Sequence, residues 1–160
     1  MEDLTFDLEG GRFNCRAAGI IIHGGKVLFH KNPADVYYAL IGGRVKIRES
    51  SDKSVKREIK EELGKEVEIK EYMASVENFF ELDNKKFHEI LFVYRAEFKN
   101  DEDKKILETL HNVENTKKDK VVQYEWLSLN ELDKYDIRPS VIKEVLKNGN
   151  YPCHLINNGH

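Results

Sequence analysis

The sequence predicts an α/β (α+β) fold in which a mixed β-sheet is covered by helices, and three observations carry that expectation. Apolar side chains recur at strand spacing in several separate runs. One segment, Ser51 to Leu63, repeats them at helical spacing instead. Strands and helices do not alternate strictly, as a wholly parallel βαβ array would require. Across the 160 residues there is no internal repeat, Pro- or Ser-rich linker or low-complexity tract, so a single domain over 1–160 is expected.

In chain order, Arg16 to Lys31 reads as two strands joined at His23-Gly24-Gly25-Lys26, since two glycines supply the positive φ of a tight hairpin. Tyr37 to Ile41 is a further strand running into Gly42-Gly43. Ser51 to Leu63 is the helix: Val55, Ile59 and Leu63 recur every fourth position, serines precede it as caps, and Gly64 follows at the C′ position. Val67 to Leu82 and Lys85 to Phe98 are long antiparallel strands about an Asp83-Asn84 turn, and Val121 to Leu127 is another strand. Ser128 to Glu131 has capping-box spacing, and Pro139 opens a C-terminal helix that ends near Asn148-Gly149. Residues 101–120, eleven of them charged, form a surface excursion with one short helix around Ile106 to Leu110.

Charge and composition exclude several classes. Lys+Arg number 26 and Asp+Glu 29, a net charge of -3, so no basic surplus drives nucleic-acid binding. The first residues are acidic where an export signal would be basic, and the apolar runs are too short to cross a bilayer, so no export, no membrane span and no membrane partner are expected. Cys15 and Cys153 stand far apart with no CxxC spacing, as expected of a reducing, cytoplasmic setting, and form no thiolate metal site.

The helix carries the chemistry. At 100° per residue Glu58, Glu61 and Glu62 fall in a sector roughly 105° from the Val55, Ile59 and Leu63 face, while Lys53, Lys56, Arg57 and Lys60 gather on a third. Glu58 and Glu62 stand at i,i+4 and repel. One reading is a solvated acidic face partly neutralised by Arg57. The other is a hard-cation site, because carboxylates three and four apart converge and Mg²⁺ or Mn²⁺ accepts all-oxygen ligands.

The surrounding frame favours the second. Gly43 is followed after five residues by Glu49, and after seven more by Arg57-Glu58-Ile59-Lys60-Glu61-Glu62-Leu63-Gly64. This frame resembles the Nudix box, G-x5-E-x7-R-E-U-x-E-E-x-G-U with U a bulky aliphatic residue. All seven fixed positions match, and Lys65 departs from the last aliphatic place. With the strand from Arg16 and the late Trp126-Leu127 strand, the resemblance covers roughly Arg16 to Asn148. It implies the Nudix (MutT-like) fold, a mixed sheet sandwiched between helices, and hydrolysis of a small-molecule nucleoside diphosphate linked to another moiety, with Mg²⁺ or Mn²⁺ as cofactor.

Carried onto this chain, the resemblance makes Glu58 and Glu62 the principal metal ligands and Glu61 a further ligand or the proton acceptor. Arg57, on the flank of the acidic face, is expected to orient a glutamate. Glu49 is expected to act structurally or in the outer sphere. Gly42 and Gly43 either form a turn or let the backbone approach the diphosphate. A fourth carboxylate from outside the box is sought at Glu89, which heads an otherwise apolar strand face; the competing reading is a strand-end Glu in solvent. Glu81 and Glu77 are weaker candidates, and His88 is read as a strand-surface residue. Tyr37 and Phe79, with Tyr38 and Phe80 beside them, are the rings on which a nucleobase could stack.

Two competing functions are a catalytically silent Nudix-like nucleotide sensor, against which every box carboxylate is retained, and an isoprenoid diphosphate isomerase, which would want a cysteine in the pocket. A homodimer is compatible with all of these.

Overall fold

The computed structural model describes residues 1–103, 112–115 and 120–159. The strands are β1 (Thr5–Leu8), β2 (Gly11–Ile20), β3 (Ile22–His23), β4 (Lys26–Lys31), β5 (Ala39–Arg44), β6 (Val67–Leu82), β7 (Lys85–Phe98), β8 (Asn112–Asn115), β9 (Lys120–Ser128) and β10 (Cys153–Asn158). The helices are α1 (Ser51–Leu63), a 3-10 helix (Leu129–Lys134) and α2 (Ile142–Lys147). The sheet runs β10-β6-β7-β2-β5-β4-β9-β8, with β1 added to β2 and β3 to β4. It is mixed: β2 with β7 and β10 with β6 are parallel, and the other pairs are antiparallel.

Two turns form as their residues dictate. Gly24 and Gly25 take φ values of 58° and 72° between β3 and β4, and Asp83 and Asn84 take 51° and 62° between β6 and β7. Both are the left-handed pair that a two-residue hairpin needs to match strand twist. α1 ends at Gly64, at φ 68°, whose N–H bonds the Lys60 carbonyl.

Alternation along β2 sorts its side chains between two cores. Ala17, with Val55 and Ile59 of α1, belongs to one cluster; Ala18 and Ile20, with Ile142 and Val145 of α2, belong to the other. The sheet is therefore sandwiched between helices, and the two faces offer different surroundings to any polar group placed on them.

Several expectations need correction. The first strand does not begin at Arg16: β2 starts at Gly11, and β1 precedes it. Arg12, Asn14 and Arg16 interrupt its apolar pattern because they face recesses. β10 was missed because its CHLINN sequence carries few apolar residues. Ser50 makes no side-chain cap on α1, and Ser51 Oγ instead meets Tyr94 OH at 2.8 Å. Ser128 Oγ accepts from Asn130 N rather than completing a capping box, and Glu131 pairs with Lys134. From Pro139 the chain first makes i+3 bonds (Ile142 N to Pro139 O, 3.1 Å), so α2 itself begins only at Ile142. Within 101–120, residues 112–115 form β8 against β9, while the helix expected around Ile106 to Leu110 lies outside the described residues.

Candidate active site

α1 presents its glutamates beside its core stripe, so that Glu58 and Glu62 are buried, at 8 % and 6 % exposure. A carboxylate there needs partners, since removal from water without hydrogen bonds or a counter-charge is costly. Arg57 supplies them. Its Nε and Nη2 donate to the two oxygens of Glu49 at 2.7 and 2.9 Å, Nη1 donates to Glu58 Oε1 at 2.5 Å and to Glu61 Oε2 at 3.2 Å, and Nη2 also reaches the Arg44 carbonyl at 3.0 Å. Lys46 N donates to Glu49 Oε2, tying the loop into the same unit. These bonds push the Arg57 guanidinium well above its ordinary pKa and hold the Glu49 carboxyl below its own. Arg57 thus bonds to Glu49, Glu58 and Glu61 at once, and Glu49 to Arg57 and the Lys46 backbone.

Gly42 and Gly43 form no turn. Both lie inside β5, and each is required by a close approach. A Cβ on Gly43 would lie 2.3 Å from the carboxyl carbon of Glu58 and 2.4 and 2.5 Å from its oxygens. A Cβ on Gly42 would lie 2.2 Å from the Ala17 carbonyl oxygen, so this glycine serves the packing of β5 on β2.

Glu62 is directed elsewhere. Its Oε2 lies 3.2 Å from His30 Nδ1 and accepts from Tyr124 OH at 3.4 Å. Burial, followed by the nearby Glu62 charge, raises the Tyr124 phenol above its usual pKa. His30 and Tyr124 are opposite one another on β4 and β9 and were not singled out from the sequence. No local signal could have found them, because their meeting depends on the register of strands far apart in the chain.

Glu58 and Glu61 border an open recess of about 540 Å³ whose other walls include Arg16, Arg44, Lys46 and Gly43. These three cations were also missed: with a net charge of -3, a basic wall is invisible until the strands assemble. Glu89 is not brought to this group. It is 3 % exposed, in phase with Leu91 and Val93 on the α2 side of the sheet, and lines a second recess. Tyr37 lines that second recess too, whereas Phe79 does not; Phe79 meets the His88 ring in a tilted contact at 4.6 Å, and its neighbour Phe80 lines the recess instead. Glu77 is taken up by His154 at 2.9 Å, while Glu81 reaches the rim of the second recess. Lys65, at the unusual last box position, pairs with Asp103 at 2.9 Å.

The donors suit a hard cation. They are all carboxylate oxygens, and the space above Gly43 that a Cβ would fill is given to Glu58. Among the described residues no group of three His, Cys, Asp or Glu side chains is arranged to enclose a metal. Magnesium does not need such a cage, since one or two carboxylates suffice when water and phosphate oxygens complete its shell.

Comparison with known proteins agrees with this geometry. The NUDIX domain family model matches residues 14–148. Among solved structures, a NUDIX hydrolase from Nitrosomonas europaea is 20 % identical with a TM-score of 0.62, covering 96 % of this chain and 82 % of that one. A MutT NUDIX hydrolase from Burkholderia pseudomallei is 22 % identical with a TM-score of 0.63 (86 % and 98 % covered). An ADP-ribose pyrophosphatase from Streptococcus suis is 15 % identical with a TM-score of 0.55 (89 % and 98 % covered). No curated protein matches the chain. The chain belongs to the NUDIX family of hydrolases.

Proposed function

We propose that this protein hydrolyses the pyrophosphate bond of a nucleoside diphosphate linked to another moiety, with Glu58 as the carboxylate that would hold Mg²⁺ or Mn²⁺ and Glu61 as the proton acceptor, while Glu62, expected from the sequence to be a principal ligand, is turned toward His30 and Tyr124. The observation that carries the reading is the unit made by Gly43, Glu49, Arg57 and Glu58, which fixes a buried carboxylate at the edge of a recess also lined by Arg16, Arg44 and Lys46.

Repulsion between an attacking water and the phosphate oxygens is the main obstacle to this reaction. Arg16, Arg44 and Lys46 lower it by receiving the polyanion and positioning it against α1. A bound divalent cation supplies charge neutralisation and a lower pKa for water. Glu58 is held by Arg57 in one orientation, so little reorganisation accompanies the reaction. Glu61, partly exposed at 26 % of its side chain, is the carboxylate with access to solvent and is assigned the proton of the attacking water. Arg57 and Glu49 are positioning residues. Gly42 has a packing role.

The test is hydrolysis of a panel of dNTPs and oxidised dNTPs, ADP-ribose, NADH, dinucleoside polyphosphates, nucleotide sugars and coenzyme A, with Mg²⁺ and with Mn²⁺. Metal-stimulated release of a mononucleotide from at least one of them is expected. Tight nucleotide binding without hydrolysis of any would establish the silent sensor instead.

A further inference from the structure

The second recess, about 420 Å³, shares Asn14, Arg16 and Arg44 with the first and lies next to it. Its volume is of the size that holds a nucleoside. Asn14, Glu89 and Asn78 line it, and with Asn157 behind them they form a row of four buried polar residues on four adjacent strands. Strand register sets Asn14 of β2 against Glu89 of β7, Glu89 against Asn78 of β6, and Asn78 against Asn157 of β10. They are 4, 3, 6 and 3 % exposed in that order.

The row is oriented by its own hydrogen bonds. Ser140 Oγ donates to Asn157 Oδ1 at 3.1 Å, Asn157 Nδ2 donates to Asn78 Oδ1 at 2.9 Å, and Asn78 Nδ2 donates to Glu89 Oε1 at 3.3 Å. These three bonds run in one direction along the sheet toward Glu89, whose Oε2 lies 4.0 Å from Arg16 Nη1, while Asn157 Nδ2 also reaches the Gly159 carbonyl at 3.3 Å. The last member, Asn157, belongs to β10, beyond the span of the family match. One row along on the same face are Phe87 and Phe80, whose rings stack at 4.8 Å with an interplanar angle of 1°. Across the recess the Arg138 guanidinium sits 4.4 Å from the centre of the Tyr37 ring.

We infer that this recess reads the nucleobase, with the Glu89 carboxylate accepting a hydrogen bond from an exocyclic amino group, so that amino-bearing bases are taken in preference to their keto counterparts. The inference rests on the proposed nucleotide substrate and names its class. The aromatic residues supply platforms for a planar heterocycle. A carboxylate offers acceptors only, so it matches an N–H donor and opposes a carbonyl oxygen. The Asn78 amide is held in orientation by its bonds to Asn157 and Glu89. A buried acceptor left facing another acceptor makes the wrong base costly, and such sites discriminate strongly. Glu89 lines the second recess, where it meets Asn78 and Arg16 rather than the α1 glutamates.

Binding of AMP, IMP, GMP, CMP and UMP, measured by calorimetry in the presence of a chelator, tests this without reference to hydrolysis. In AMP against IMP, GMP against IMP or CMP against UMP, the amino member is expected to bind at least about tenfold tighter in at least one pair. Equal binding in every pair, a keto preference or no binding would overturn the inference. Glu89→Gln, which adds a donor at constant volume, is expected to bring the favoured pair within about threefold or to reverse it. Retention of the full preference by a folded Glu89→Gln would also overturn it. Should this variant not fold, the comparison on the unaltered protein decides alone. Hydrolysis that runs equally on amino and keto substrates would sink the base reading while sustaining the proposed reaction; base discrimination without any hydrolysis would do the converse.

Discussion

Arg57 holds three carboxylates with one planar group, and that geometry is why a lysine could not replace it: a single ammonium cannot serve Glu49 through two parallel bonds while reaching Glu58 and Glu61. Loss of this support is expected to act through Glu58. Glu49→Gln should lower kcat about 10–100-fold, as removal of an orienting partner does, with KM little changed, measured at saturating metal. Gly43→Ala should be worse than its one added methyl suggests, because Glu58 must leave its position; the check is a lost turnover in a protein whose circular dichroism is native. Glu49 also predicts an acid response. Its carboxyl is held below the ordinary value near 4.5, so its contribution to stability is complete above that pH and is lost as pH falls through the lowered value. Urea unfolding should therefore show a steeper loss of stability below pH 4.5 in the unaltered protein than in Glu49→Gln. These residues were legible because the box sets Gly43, Glu49, Arg57 and Glu58 at fixed spacing in one stretch of chain. His30 and Tyr124, which meet Glu62 from β4 and β9, were not, since nothing near them in sequence marks that contact.

At the scale of elements, α1 was legible almost to the residue, with both its apolar stripe and its Gly64 stop encoded locally. The long β6-β7 hairpin was equally clear, because alternation and an Asp83-Asn84 turn agree. What escaped were the elements whose pattern serves a site or an edge. β2 carries Arg12, Asn14 and Arg16 where a purely structural strand would carry aliphatics, and β10 is half polar because Asn157 faces the buried row. Phe79 and Phe80 show the limit of composition: both rings were visible, but only the pairing of β6 with β7 decides which one shares a face with Glu89. Asn157→Leu tests the contribution of β10. It leaves the Asn78 Oδ1 acceptor buried and unpaired, which should cost about 1–3 kcal/mol in chemical denaturation. An unchanged midpoint would mean that the row does not support the fold.

For the whole molecule, the net charge of -3 hides a local inversion. Arg16, Arg44 and Lys46 come from β2, β5 and the loop after it to line one recess together with Glu58 and Glu61 of α1. The even charge balance of the sequence carries no sign of a basic wall, which only the assembled sheet brings together. Arg16 and Arg44 are exposed over more than a third of their side chains, so their attraction is screened by salt. Raising ionic strength from low to physiological values is expected to raise KM for a diphosphate substrate several-fold with kcat nearly constant, and Arg44→Ala should flatten that dependence. The central claim is that a carboxylate fixed on α1 enables metal-dependent cleavage of a pyrophosphate bond. It is tested most directly by comparing the unaltered protein with Glu58→Gln on the best substrate of the panel, across a Mg²⁺ titration and after chelation. Turnover that requires the cation and falls on the order of 10²–10⁴-fold in a folded Glu58→Gln is expected; undiminished turnover in Glu58→Gln, or in the chelated enzyme, would contradict it.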